Sequence, residues 1–413
     1  MKKILLLCTF LSGIATAQQG TTATRLADLL NEAREHSPSI LAANAAINTA
    51  TFAPGQARAF PDTEFMVQQF SVGSPRPFAG FSNSDFAYVG FGVSQELPYP
   101  GKRKLRGKVA ESEVITSRAE AGMTLADVLE RVKLAYFRLA RAQAVLALLE
   151  RNRHAIDDVE QAVQIRYRVG TGTQQDVLRA QLERTRLLNE IAIEQRETGQ
   201  AQAMLRAVLN RPPNSPSIVA EPLTPRLIPD LESQVATIAG QNPELQIRRA
   251  EISRASAEVE LANREKKPDF AVQYMWQHTS DNFRDYYMAT FSVRLPNRGR
   301  VNAALSQAAA KKQQLELQEQ AQLTQLQGDT AEQLAAIHTT QEQLKIYRDG
   351  LVPQSESAFN AGMAGYRAGR QEYQSLLASY SDTLRLGIEY QQLLADHEIA
   401  LAHMERLIGG ELK

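Results

Sequence analysis

The chain of 413 residues contains one cysteine, Cys8. That excludes a disulfide framework and a cysteine-based zinc site. Charge of either sign is not in excess, since Lys+Arg and Asp+Glu both number 46. This balance argues against nucleic acid as a partner, because phosphate binding leaves a basic surplus. Aromatic residues are few, at 7%. Beyond the amino terminus there is no run of roughly 18 apolar residues, so no membrane-spanning helix is expected. A Gly-rich phosphate loop, a G-x-S-x-G elbow and an H-E-x-x-H zinc pair are all missing. The histidines (His36, His154, His278, His338, His397 and His403) are off zinc-site spacing and read as surface or interfacial residues. The expectation is therefore no catalytic residue, no metal ligand, no cofactor and no enzyme activity.

The hydrophobic content, 43%, is enough for a large buried surface. Residues 1–17 read as a signal peptide. Lys2 and Lys3 precede a short apolar run, and Ala15-Thr16-Ala17 fits a cleavage site before Gln18. Cys8 would leave with that segment, and the mature chain would be exported.

The remainder reads as a duplication. Ser37-Pro38-Ser39-Ile40 is echoed by Asn242-Pro243-Glu244-Leu245, and Phe60-Pro61-Asp62 by Lys267-Pro268-Asp269-Phe270. Phe91-Gly92-Val93 is echoed by Phe291-Ser292-Val293. The run 167–181 is echoed by 366–380 around a Tyr-x-x-Gly turn. The order is colinear. We therefore expect a first repeat over 18–210, a Pro-rich linker over 211–230 and a second repeat over 231–413.

Each repeat has the same grammar. An Ala-rich helical stretch (about 23–58, then 231–266) ends at Pro-Asp. Two short aromatic segments follow. A long helical stretch (about 101–169, then 299–368) runs to the Tyr-x-x-Gly turn, and another helix follows. The helices are read from apolar residues at three- and four-residue spacing, as in Val177, Leu178, Leu182, Leu187, Leu188 and Ile191. Pro353 lies inside such a pattern and predicts a kink or break. At 1.5 Å per residue, 101–169 would span roughly 100 Å and 231–266 roughly 55 Å. Helices of that length need neighbours throughout, as in a coiled coil or helical barrel.

Most of the 14 Phe, 12 Tyr and one Trp fall within 60–99 and 270–291. There the period changes to two, which predicts strands at about 62–72, 86–97, 268–278 and 286–296. One face collects Val89, Phe91 and Val93. In the second repeat the matching faces collect Phe270, Val272, Tyr274 and Trp276, then Tyr287, Phe291 and Val293. Ten-residue segments, apolar on one face and more polar on the other, suit a membrane β-barrel with that face toward lipid. The Gly-, Ser- and Asn-rich segments 73–85 and 279–285 read as hairpin tips. Four strands cannot close a barrel, and open edges are not tolerated in lipid. A membrane sheet would need further copies, and three would give 12 strands.

This grammar resembles the TolC-like outer-membrane efflux proteins over essentially the whole mature chain. The resemblance implies a membrane α+β fold: a trimeric 12-stranded β-barrel continued by a long α-helical barrel. It implies as partners a periplasmic adapter protein, an inner-membrane transporter and outer-membrane lipid. The adapter-contact tips would be Val169, Gly170 and Thr171, with Ala368, Gly369 and Arg370. The family's Val-Gly-Leu pattern lacks its leucine at both. A periplasmic gate would match Asp176, Arg179 and Ser375, with Arg166 or Arg168 nearby. Because Arg179 and Ser375 replace acidic residues, a gate of carboxylates alone is not expected. Glu96-Leu97-Pro98-Tyr99-Pro100-Gly101-Lys102-Arg103-Lys104 is similar to the strand-to-helix join of the heavy-metal branch typified by CusC and CzcC. That implies metal-ion export by a passive channel. The basic run Lys102–Lys104 reads as a solvated face or a lipid-headgroup contact. Two alternatives remain at this stage: a drug-efflux or type I secretion channel of the same family, or a soluble periplasmic helical-hairpin adapter or coiled coil.

Overall fold

A computed structural model describes residues 23–71, 87–279 and 284–412, with the side chains of 237–239 excepted. The expected signal peptide and most of both expected hairpin tips lie outside the described residues. The first half comprises α1 (Leu26–His36), α2 (Pro38–Arg58), β1 (Glu64–Phe70), β2 (Tyr88–Leu97), α3 (Lys102–Arg168) and α4 (Gln174–Val208). The second comprises α5 (Leu231–Ile238), α6 (Pro243–Arg264), β3 (Asp269–His278), β4 (Tyr286–Arg294), α7 (Arg298–Ile346), α8 (Val352–Arg367) and α9 (Tyr373–Ile408).

Each Ala-rich stretch is two helices rather than one. The breaks fall at the echoed Ser37-Pro38 and Asn242-Pro243. A proline biases the residue before it out of the α region. Ser37 accordingly has ψ 121° and Asn242 ψ 124°. Each proline then opens the next helix, where its missing N–H costs nothing. The Asn242 side chain accepts the Leu245 N–H at 2.8 Å and completes the cap. The expected 55 Å run is thereby shortened to the 22 residues of α6, about 33 Å.

Helix α3 is uninterrupted for 67 residues, about 100 Å. It passes through two apolar cores. Val132, Tyr136 and Leu139 pack with Leu29 of α1, Leu205 of α4 and Ile218 of the linker. Farther along, Leu149, Ile156 and Val163 pack with Leu187 of α4 and Leu376 of α9. Burying each such leucine contributes about 2 kcal/mol, so neighbours along the length, rather than one interior, stabilise this helix. At Pro353 the helix does not break. A single π turn, Tyr347–Leu351, joins α7 to α8. Widening one turn relieves the clash of the proline ring with the carbonyl four residues back.

The linker is part of the packing. Arg226 meets Glu398 at 2.7 Å and Glu405 at 3.3 Å, and Glu405 meets Lys133 of α3 at 2.6 Å. His397 is 0% exposed, not a surface residue. Its ring nitrogens lie 3.0 Å from Thr340 Oγ1 and 3.0 Å from the Arg226 carbonyl. The ring thus ties α7 and α9 to the linker.

The strands form one antiparallel sheet in the order β1-β2-β3-β4. Its joins to the helices are built from the basic run. Lys102 is 1% exposed; its ammonium donates to the Lys267 carbonyl at 2.8 Å and meets Asp269 and Glu265 at 2.9 Å. Arg103 donates to the Arg58 carbonyl and lies 3.4 Å over the Phe60 ring. Two of the three expected surface cations therefore hold the join together, and only Lys104 is exposed.

Candidate functional site

Two regions carry the residues singled out in the sequence: the helix-turn tips and one face of the sheet. At the first tip, Gly170 has φ +76°. Thr171 N–H donates to the Arg166 carbonyl at 2.9 Å, and Gly170 N–H to Tyr167 at 3.0 Å. At the second, Gly369 has φ +73°, Arg370 N–H donates to Gly365 at 2.9 Å, and Gly369 N–H to Tyr366 at 3.1 Å. This is the same helix stop twice, a left-handed residue whose successor closes back onto the last turn. A Cβ added at either glycine would meet nothing within 4 Å. Glycine is needed there for its dihedral angle, not for space. Val169, Thr171, Ala368 and Arg370 are exposed around the two turns.

Beyond the turns the tips diverge. Thr173 and Asp176 form a capping box: Thr173 Oγ1 accepts the Asp176 N–H at 3.2 Å, and the Asp176 carboxylate accepts the Thr173 N–H at 3.3 Å. Asp176 is thus engaged in starting α4. It forms no ion pair with Arg179, three residues on and half-buried. At the corresponding place in the second half, Glu372 caps nothing and Ser375 is exposed.

Arg166 joins the tips. Its guanidinium donates to the Thr171 carbonyl at 3.2 Å within its own turn. It also reaches the Tyr366 and Gln371 carbonyls, both at 3.4 Å, in the other turn. It lies 4.7 Å over the Tyr366 ring as well. Below it, Tyr366, Tyr373 and Tyr380 are buried in a column against α3 and α4. Among the described residues none of their hydroxyls has a hydrogen-bond partner. Burial pushes all three phenols above their ordinary value near 10. This column escaped the sequence reading. Its available signal was Tyr373 and Tyr380 seven apart, two turns along one helix face.

In the sheet, Phe91 pairs with Trp276 and Trp276 with Tyr287; Val93 pairs with Tyr274, and Val272 with Phe291. Phe270 pairs with Val293, and Val89 with His278. All ten residues expected on the apolar face therefore share one face. Phe91 stacks on Trp276 at 5.8 Å and Phe270 on Phe291 at 5.7 Å. Strand β1 adds Phe65 and Val67 to that face, because they pair with Val93 and Phe91. The other face carries Ser94, Glu96, Gln273, Thr290 and Arg294, with Arg294 and Glu96 2.6 Å apart. Among the described residues no helix is long and apolar enough to cross a membrane, and no cluster of three metal-ligating side chains occurs.

Comparison with curated protein sequences finds no match. Among solved structures, the outer membrane protein VceC from Vibrio cholerae superimposes with a TM-score of 0.77 at 20% identity. The alignment covers 94% of this chain and 97% of that one. CusC, in crystal structures concerned with folding and transmembrane channel formation, gives 0.79 at 16% identity over 94% and 93%. The open state of the MtrE outer membrane channel from Neisseria gonorrhoeae gives 0.78 at 18% identity over 94% and 90%. These likenesses are to the fold. The family model described as outer membrane efflux protein matches residues 29–211 and 235–410, one block in each half, and on that match this chain belongs to the outer membrane efflux protein family.

Proposed function

We propose that three copies of this chain form a passive exit duct for metal ions. The protein resides in the outer membrane and has a large periplasmic helical portion. The observation that carries the trimer is the sheet. It has one continuous apolar face, an opposite polar face, and two edge strands, β1 and β4, that pair on one side only. Unpaired backbone in hydrocarbon costs several kcal/mol per group, so the edges must meet those of other copies. Twelve strands close a small barrel, with the apolar face on lipid and the Glu96, Gln273 and Arg294 face on water.

Below the barrel, α3 and its neighbours line a duct that ends at the Gly170 and Gly369 turns. Val169, Thr171, Ala368 and Arg370 are the exposed groups available to a periplasmic adapter, which couples the duct to an inner-membrane transporter. The sequence carries no Gly-rich phosphate loop, and on this reading opening follows from adapter contacts that favour a dilated arrangement of the tips. The metal cargo rests on the likeness of the Glu96–Lys104 join to the heavy-metal branch.

Membrane fractionation and native mass test the first part: a trimer in the outer membrane is expected, and a soluble periplasmic monomer would refute it. Deleting the gene tests the cargo. Loss of tolerance to metal salts is expected; loss of drug tolerance alone would make this a drug channel.

A further inference from the structure

The seam between neighbouring copies can be worked out residue by residue from the duplication, given the trimer proposed above. Two anchors fix how the halves correspond. Pro61-Asp62 matches Pro268-Asp269, and the Leu-Pro-x-x-Gly-basic run Leu97–Lys102 matches Leu295–Arg300. Counting outward from these anchors, Glu64 corresponds to Ala271 and Ser94 to Ser292. Glu64 pairs with Ser94 in the first hairpin, and Ala271 pairs with Ser292 in the second. At the far ends, Phe70 with Tyr88 likewise corresponds to Gln277 with Tyr286. The anchors and the backbone register therefore agree, and they move the counterpart of Phe91-Gly92-Val93 by two residues, from 291–293 to 289–291.

The chain contains the junction β2–β3 between its two hairpins but not the reciprocal junction β4–β1. Those two strands lie at opposite edges of the sheet, three interstrand spacings or about 14 Å apart. Carrying the β2–β3 register through the correspondence defines the missing one. Glu96 with Ala271 becomes Arg294 with Glu64. Gln95 with Val272 becomes Val293 with Phe65, and Val93 with Tyr274 becomes Phe291 with Val67. We propose that β4 of one copy pairs antiparallel with β1 of the next in this register, and that Arg300 of the first copy closes the seam on Asp62 of the second.

The chemistry at the proposed pairs is complementary. Arg294 lies opposite Glu64 on the water side. Val293 and Phe291 lie opposite Phe65 and Val67 on the lipid side. Phe65 is 83% exposed in the single chain and Phe291 65%. A one-residue slip would move Phe65 and Val67 onto the polar face. The closing bridge has its template inside the chain, where Lys102 and the Tyr99 N–H both bind Asp269, at 2.9 and 2.8 Å. Arg300, Asn297 and Asp62 are the counterparts of Lys102, Tyr99 and Asp269. Both Asp62 and Arg300 are exposed, and among the described residues neither side chain has a partner. The seam differs from its template in one respect. Glu265, the second acid on Lys102, corresponds to Arg58, which is already paired with Glu111. The seam bridge therefore has one carboxylate where the internal join has two.

Cysteine pairs test the register in a Cys8→Ser background. Glu64→Cys with Arg294→Cys, oxidised in isolated outer membranes, should convert most of the chain to covalent dimer and trimer that reductant returns to monomer. Glu64→Cys with Ser292→Cys, a two-residue slip, should give little. A ladder from the slipped pair with none from the first overturns the register. A native trimer that neither pair cross-links overturns the seam but not the trimer, whereas a monomeric unmodified protein overturns the trimer itself. Charge exchange tests the bridge without new cysteines. Asp62→Arg and Arg300→Asp should each lower the heat resistance of the trimer, and the double variant should restore it. A double variant no more heat-resistant than the singles refutes the bridge.

Discussion

The two tip turns are one backbone solution with two sets of side chains. Both stop a helix on a glycine near φ +75° and close it with a bond to the last turn. The first then restarts its next helix with a complete capping box, Thr173 and Asp176; the second restarts without any side-chain cap. The second instead contributes the buried Tyr366, Tyr373 and Tyr380, and the first reaches across to it through Arg166. Duplication has kept what the chain geometry demands and released what it does not. The acidic residue at the first tip, Asp176, has its carboxylate engaged in the cap that starts α4.

The strongest way to break the shared part is to remove the glycines. Gly170→Val and Gly369→Val each force a β-branched residue into the left-handed region, at about 1–3 kcal/mol. Because neither site has a steric neighbour, the two costs should be equal. Efflux should fall for both while outer-membrane trimers persist. Unchanged efflux with intact adapter binding would remove these turns from the adapter contact. Arg166→Ala comes next. It deletes charged donors to three carbonyls and a cation–π contact, for about 1.5–2 kcal/mol. It should raise channel conductance at rest in planar bilayers, because it is the link that crosses from one turn to the other. Equal conductance would mean the tips hold together without it.

The caps sharpen the difference between the halves. Thr173→Ala should lower stability by about 1 kcal/mol, read as a shift in thermal unfolding of the detergent-solubilised protein. Glu372→Thr with Ser375→Asp installs the missing box at the start of α9 and should raise stability by a smaller amount, about 0.5 kcal/mol. If the double substitution gains nothing, the second turn differs from the first in more than its cap.

The sheet was more legible from sequence than the helices. Period-two alternation fixes which face each strand residue takes, so all ten predicted apolar-face residues fall on one side. Helix periodicity does not reveal where a helix pauses. Two runs read as single helices break before Pro38 and Pro243, while the run containing Pro353 continues through a π turn. Pro243 opens a new helix behind the Asn242 cap and Pro38 does so with no side-chain cap, whereas Pro353 is taken up into a continuing helix by a π turn. Polar residues misled most. Lys102 and His397 look like surface groups in isolation, and their partners, Asp269, Thr340 and the Arg226 carbonyl, lie far away in sequence. Pairing of that kind belongs to tertiary structure, where a buried cation or imidazole is tolerated because every polar atom finds a partner.

The tyrosine column breaks that last rule and gives the smallest expected effect at neutral pH. Among the described residues the buried hydroxyls of Tyr373 and Tyr380 have no partner, so removing them removes a desolvation cost rather than a bond. Tyr373→Phe and Tyr380→Phe should therefore be neutral or stabilising by less than about 0.5 kcal/mol, the opposite sign to Thr173→Ala in the facing tip. Alkali enlarges the difference. Burial raises both phenols above their ordinary value near 10, so the native state holds their protons after the unfolded state has released them. Stability is then constant below about pH 10 on this account and falls as pH rises further. The double Phe variant should lose most of that alkaline decline, with Tyr366 keeping the rest, while the parent keeps all of it. The measurement is denaturant unfolding from pH 8 to 11. Identical slopes in both proteins would mean these hydroxyls acquire partners in the assembled trimer.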